Sequence, residues 1–306
     1  IMGRGRVVHR MTGEELWGIG EARREEAGRR RTRKHDIGGR PVRAREAGRR
    51  QTKGHIMEYA VNCSIMFKEL PVLERAKAAA DAGFKAVEFW WPWDVAVPER
   101  EDIDAFVASI RDAGVQLIGL NFFAGDMPGG ERGLVSLPSR VDDFKANVPV
   151  AVEIGRELGC KAFNALYGLR QEGLDAVVQD AVAIDNLEFA AKAAAEIGAT
   201  VLVEPVSGAA EYPLKTAAQT LAVVEKLKAE RGVENVGFLC DLYHLAANGD
   251  DVAAVAAGDG GAAAHCQIAD FPGRGEPGTG DLDIAGLLAS MKKAGYDGWV
   301  ALEYVP

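Results

Sequence analysis

His265-Cys266-Gln267-Ile268-Ala269-Asp270-Phe271-Pro272-Gly273-Arg274-Gly275-Glu276-Pro277-Gly278-Thr279-Gly280-Asp281 is the stretch on which the reading of the fold turns. The residues up to Ile268, from 262 onward, are compact and mostly apolar, the pattern of a strand covered by helices on both faces. The run passes directly into a loop shaped by four glycines and two prolines. That loop presents Gln267, Asp270, Arg274 and Glu276 close together, at the kind of strand exit where chemistry is commonly placed.

Outward from this stretch the same pattern repeats. Apolar runs predict strands over 59–67, 86–89, 115–122, 161–166, 200–206, 236–242, 262–268 and 299–304. Between them, 3.6-residue periodicity predicts helices over 70–82, 99–113, 141–158, 174–197, 216–230, 252–257 and 284–294, the first two closed by Gly83 and Gly114. Eight strands alternating with helices over about 250 residues predict an α/β fold, a (β/α)8 barrel of the TIM type. A doubly wound sheet is the structural alternative, but it calls for a glycine-rich phosphate turn after the first strand, and 63–68 has none. Pro306 directly follows the eighth strand. The expectation is therefore a barrel lacking its final helix, with apolar surface on the first and last strands left uncovered.

The chain has 306 residues, 48% of them hydrophobic, with a net charge of −9 and a pI near 5.2. Such totals suit a soluble protein with a large core. Residues 1–56 carry 16 Lys and Arg against 7 Asp and Glu, which leaves 20 against 38 for the remainder. The body is acidic and the arm basic. Without apolar periodicity the arm is expected to be a disordered extension at 1–56, ahead of a barrel domain at 57–306. A basic arm can track nucleic acid or a membrane surface. The reading preferred here is a solvated tail without a function of its own, or upstream sequence translated ahead of a start at Met57. No run of about 18 apolar residues suits a membrane span, and the N-terminus lacks a secretory apolar core, so the expected location is cytoplasmic. Cys63, Cys160, Cys240 and Cys266 are widely separated and form no Cys-x-x-Cys pair; they read as reduced packing residues.

In a barrel, the C-terminal ends of all strands converge on one face. Glu204 follows Val201-Leu202-Val203, Asp241 follows Phe238-Leu239-Cys240, Gln267 follows Cys266, and Glu303 follows Val300-Ala301-Leu302. A carboxylate closing an apolar run is costly to desolvate unless something pairs with it. Each alone could be hydrogen-bonded to a neighbouring loop; four on strands five to eight suggest a bound divalent cation. Oxygen donors of this kind suit Mg2+ or Mn2+ better than structural zinc. His244, three residues past Asp241, is a candidate donor to substrate or a packing histidine. His265 is expected deeper in the barrel, in a structural role. Trp90-Trp91-Pro92-Trp93 offers an apolar wall or plain packing.

The motifs Gly125-Asp126-x-x-x-Gly130-Glu131-Arg132-Gly133, Leu202-x-Glu204-Pro205, Asp241-x-Tyr243-His244, the 267–280 loop and Gly298-Trp299-Val300-x-x-Glu303-Tyr304-x-Pro306 resemble hydroxypyruvate isomerase, a family of xylose isomerase-like, metal-dependent barrels. The likeness covers 59–306. It implies Glu204, Asp241, Gln267 and Glu303 as ligands to Mg2+ or Mn2+, Glu204 and Glu303 as the catalytic pair, and His244 and Arg274 as substrate-binding residues. The implied activity interconverts hydroxypyruvate and tartronate semialdehyde through an enediolate. A 2-oxo-tetronate isomerase and a ketose 3-epimerase are alternatives on the same site. The expected partner is a small 2-oxo acid or sugar, with no nucleic acid and no membrane, and self-association is left open. A phosphodiesterase or repair nuclease calls for more histidines than the body's two, and a non-catalytic truncated copy would not need the four strand-end residues.

Overall fold

A computed structural model of the protein describes residues 57–306, and the predicted extension at 1–56 lies outside the described residues. Eight parallel strands follow one another around a closed barrel. They are β1 (Tyr59–Asn62), β2 (Ala86–Phe89), β3 (Gln116–Asn121), β4 (Ala162–Asn164), β5 (Thr200–Val203), β6 (Val236–Asp241), β7 (His265–Ile268) and β8 (Val300–Leu302). β8 closes on β1 through Ala60 opposite Ala301 and Val61 opposite Leu302. The helices are α1 (Val72–Asp81), α2 (Arg100–Ala113), α3 (Val141–Leu158), α4 (Ala176–Ala195), α5 (Ala217–Arg231), α6 (Leu242–Ala247), α7 (Val252–Ala257) and α8 (Ile284–Ala294).

The strands read as unbroken apolar runs because both of their faces are buried. Val61, Val87, Phe163, Val201, Cys240, Cys266 and Val300 are fully covered or nearly so. Positions of opposite parity point into the barrel, and the parallel registers carry that parity from strand to strand: Asn62 opposite Glu88, Glu88 opposite Gly119, Asn121 opposite Asn164, Asp241 opposite Gln267. One polar residue per strand therefore points inward toward the mouth, Asn62, Glu88, Asn121, Asn164, Glu204, Asp241, Gln267 and Glu303, with Glu88 level with Gly119, one step below Asn121. All eight are buried. One step deeper, the inward positions on β1 to β4 and β8 are small: Ala60, Ala86, Gly119, Ala162 and Ala301. They leave room in the barrel centre for the side chains of Glu88 and His265. At Gly119 a Cβ would sit 3.2 Å from both Cβ and Oε2 of Glu88.

Local chemistry sets the helix ends. Thr216 and Gln219 form a reciprocal cap at the start of α5, and the side chains of Asp175, Asp251 and Asp283 accept backbone N–H groups at the starts of α4, α7 and α8. Left-handed glycines close α2, α3 and α5. The observed strands are shorter than the apolar runs. β1 stops at Asn62, where the chain turns with Asn62 Oδ1 accepting from the Ser64 N–H. Predicted strand 262–268 begins only at His265, because Asp259–Ala262 form a 3-10 turn. α6, directly after β6, lies where the sequence pattern shows no helix. No helix follows β8 among the described residues. The four cysteines are free and buried, as expected, and no described helix is long and apolar enough to cross a membrane.

Filling the space at Gly119 should strain the barrel centre. Gly119→Val is expected to lower stability by about 1–3 kcal/mol through overpacking, read as a lower urea midpoint with an unchanged slope.

Candidate active site

Glu204 lies one residue past β5 and accepts a 2.7 Å hydrogen bond on Oε2 from Asn164 Nδ2. Asp241, the last residue of β6, is also the N-cap of α6, with Oδ1 accepting the His244 backbone N–H at 2.9 Å. One turn of helix thus returns the His244 ring to the mouth. Its Nε2 sits 3.7 Å from Glu204 Oε1 and 3.8 Å from Asp241 Oδ2. Its Nδ1 accepts the Ser207 backbone N–H at 3.1 Å, with Ser207 Oγ at 2.7 Å. Since a backbone N–H can only donate, the neutral imidazole carries its proton on Nε2, facing the carboxylates. Glu303 lies one residue past β8. Its Oε1 accepts from Asn62 Nδ2 at 3.0 Å and Trp90 Nε1 at 2.7 Å, and its Oε2 accepts from Arg274 at 2.7 Å.

The site is buried and crowded with carboxyl groups. Burial, with Glu303 and Asp241 nearby, pushes Glu204 well above the usual carboxylate range. Burial likewise raises Glu303 to about 7, although the Arg274 guanidinium opposes the shift. Asp241 is raised by burial, again against Arg274. Burial and the neighbouring Arg274 lower His244 to about 3, so it is neutral near pH 7.

These residues suit a divalent cation. Glu204, Asp241 and Glu303 each offer a ligand oxygen, and these atoms and a ring nitrogen of His244 all lie within 4.8 Å of one another. Gln267 Oε1 is buried and unpartnered, while its Nε2 donates to Glu88 Oε1 at 2.6 Å. An orphaned carbonyl oxygen beside crowded carboxylates is a donor set for a hard cation. His244, expected either as a donor to substrate or as a packing histidine, stands beside the carboxylates with its Nε2 proton toward them.

Of the residues expected at the exits, Arg274 reaches the site and Asp270 and Glu276 do not. Arg274 adopts a left-handed backbone conformation, and its guanidinium lies 5.3 Å from the centre of the Tyr243 ring. Asp270 is fully buried inside its own loop, accepting the N–H groups of Phe271, Gly278 and Leu282. Glu276 stands apart, its carbonyl accepting from Thr279. Trp90 donates to Glu303, whereas Trp91 and Trp93 pack edge-on to each other and Trp93 to Phe106. His265 lies beneath Gln267 with Nε2 at 2.7 Å from Glu88 Oε2. The sequence reading missed Asn62, Glu88 and Asn164. A polar residue inside a four-residue buried strand, such as Glu88, was the available signal.

Residues 76–306 match the family model described as xylose isomerase-like TIM barrel. A putative hydroxypyruvate isomerase of Streptomyces coelicolor is 52% identical, over 81% of this chain and 90% of that protein. A 2-oxo-tetronate isomerase of Cupriavidus necator is 36% identical, over 81% of this chain and 92% of that protein. The crystal structure of a protein named AP endonuclease, family 2, from Brucella melitensis superposes with a TM-score of 0.72 at 34% identity, covering 82% of this chain and 93% of that one. With this fold, this ring of buried polar residues and these likenesses, the chain belongs to the xylose isomerase-like TIM barrel family and, within it, to the hydroxypyruvate isomerase group of enzymes.

Proposed function

We propose that the protein is a metal-dependent isomerase that interconverts hydroxypyruvate and tartronate semialdehyde. The observation that carries the reading is the meeting, in one buried mouth, of Glu204, Asp241, Gln267 and Glu303 with a single arginine, Arg274. In this reading the four residues hold Mg2+ or Mn2+. When bound, the cation stabilises negative charge that develops on the substrate oxygens.

The chain's own groups supply the rest. Arg274 takes the substrate carboxylate, exchanging Glu303 for a partner that matches its planar fork. His244 donates its Nε2 proton as a hydrogen bond to a substrate oxygen without becoming charged. Of Glu204 and Glu303, one removes the proton from C3 and the other returns a proton to C2, while a proton passes from the C3 hydroxyl to the C2 oxygen. An enediolate lies between the two steps, and no atom is gained or lost. Burial raises both glutamates, Glu303 to about 7, where a carboxyl can hold a proton as readily as release it. The apolar edge and indole N–H of Trp90 help keep Glu303 oriented and water out.

A four-carbon 2-oxo acid is the second reading, and it keeps every role above. It is favoured by the likeness to the Cupriavidus enzyme. A nuclease, the activity for which the Brucella protein is named, is not favoured: the acidic barrel brings one histidine, His244, into the cluster, where binding several zinc ions calls for more.

Three outcomes follow. Glu204→Gln and Glu303→Gln should each lower turnover of hydroxypyruvate by about 10²–10⁴-fold while the fold is kept; near-normal rates in both would sink the assignment. Arg274→Lys should raise KM for the 2-oxo acid by about tenfold, since one charge-assisted bond of the fork is lost. Stabilisation by cation should also grow with pH. Glu303 is raised from the ordinary 4.5 to about 7 in the folded protein. Between those values the metal-free folded state binds a proton that the unfolded chain does not, so this group favours folding at low pH and loses that contribution as pH rises through 7. A bound cation must displace that proton. Saturating Mn2+, at about 100 times its Kd, should therefore raise Tm by about 5–10 °C at pH 8, and by clearly less at pH 6, in a melting experiment.

A further inference from the structure

Beneath the cation candidates, the barrel centre holds a second polar assembly that the proposed reaction leaves unexplained. Glu88 on β2 is buried, and each of its oxygens is engaged. Its Oε2 receives His265 Nε2 at 2.7 Å. Its Oε1 accepts both Gln267 Nε2 at 2.6 Å and Asn62 Nδ2 at 2.9 Å. The Ser64 N–H donates to Asn62 Oδ1, which fixes the Asn62 NH2 on Glu88 Oε1. Glu88 Oε1 is thus an acceptor.

That restriction has a directional result. A side-chain amide has a donor end and an acceptor end of nearly the same shape, and packing alone barely distinguishes them. With that acceptor beneath it, Gln267 must turn its NH2 downward, which leaves Oε1 buried without a protein partner. Asn62 is held in the same way. Its Nδ2 reaches Glu88 Oε1 and Glu303 Oε1, at 2.9 and 3.0 Å, while its Oδ1 accepts from the Ser64 N–H. Gly119 supplies the space in which Glu88 lies.

We infer that Glu88 is a positioning residue, acting beneath the site to fix the amide of Gln267 with its carbonyl oxygen free for the cation and, through Asn62, to hold Glu303. This rests on the cation-site reading above. It assigns Glu88 no contact with substrate. His265 is the clamp that keeps the carboxylate in place.

The test exchanges donor and acceptor. In Glu88→Gln, with His265 donating to the retained oxygen, the other end of the new amide is an NH2 group facing the NH2 groups of Gln267 and Asn62. Gln267 must then turn over, and its oxygen is lost to the cation. Mn2+ affinity, read from the electron paramagnetic resonance signal of free Mn2+ during titration, should fall by about 10- to 100-fold, the usual effect of removing an outer partner of a ligand. Glu88→Gln with Gln267→Glu reverses the polarity. The amide at 88 donates to one carboxylate oxygen at 267, the other oxygen is free, and most of the lost affinity should return. The double variant should also bind Mn2+ more tightly than Gln267→Glu alone, where two carboxylates face each other; a residue that merely filled space would give no such difference. Parent-like Mn2+ affinity in folded Glu88→Gln overturns the inference, as does a folded double variant that binds no more tightly than the single one. If Glu88→Gln does not fold, the double variant decides: folded and cation-binding supports the inference, folded without binding overturns it. A parent protein that binds no Mn2+ sinks the cation site itself, and this inference with it.

Discussion

The mouth of this barrel depends on holding several carboxylates together in a place almost closed to solvent. Two charges about 4 Å apart repel by about 4 kcal/mol even at the moderate effective dielectric of a protein near its surface, and Glu204, Asp241 and Glu303 are all at most 4% exposed. The neighbouring chain is arranged to oppose that repulsion. Asn164 donates to Glu204, the α6 N-terminus to Asp241, and Asn62, Trp90 and Arg274 to Glu303. These donors reduce the crowding without removing it, because burial still leaves Glu204 and Glu303 raised. A site that keeps such tension in its protein groups favours a cation over any further hydrogen bond.

The same constraint explains why the mouth is made from strand ends and not from loops. A parallel barrel strand carries its inward residues in fixed register, so one polar residue per strand gathers eight side chains in the upper barrel at staggered heights, Glu88 opposite Gly119 and Gln267 opposite Ala301. Asp241 also starts a helix. Its strand geometry aims one oxygen at the centre, and its helix-capping oxygen brings His244 back over the mouth. The loop from 269 to 282 is held in another way. Asp270 turns inward to bind three backbone N–H groups of its own loop, and the Arg274 carbonyl accepts the Val305 N–H at 2.7 Å. A loop fixed at both ends holds the Arg274 guanidinium against Glu303 with little freedom left to lose.

Much of this was legible in the sequence, for physical reasons. Strands buried on both faces must be apolar throughout, so the runs around 201, 238, 266 and 301 declare the barrel, and a carboxylate closing such a run announces the mouth. The strand lengths were overread for the same reason: at 59–67 the apolar character continues past Asn62 into a buried turn, where Ile65, Met66 and Phe67 still pack inward. α6 was missed because Asp241 reads as the end of a strand, and its second role as an N-cap depends on the turn that follows. Asp270 was misjudged because glycine-rich loops can turn a carboxylate either to solvent or onto their own N–H groups, and spacing does not distinguish the two.

Glu88 is the instructive omission. It lies in Ala86-Val87-Glu88-Phe89, a strand too short to show alternation, and no apolar run leads up to it as one does to Glu204 or Glu303. Yet the order of donors in the barrel runs through it. An acceptor at the centre draws the NH2 groups of Gln267 and Asn62 toward itself, so the Gln267 carbonyl oxygen is turned away from it. The polarity of the upper layer is thereby set from below, by a residue with no need to touch either cation or substrate. Small residues on neighbouring strands, Gly119 above all, follow from the same requirement, because a carboxylate–imidazole pair fits in a barrel centre only where side chains around it have been given up.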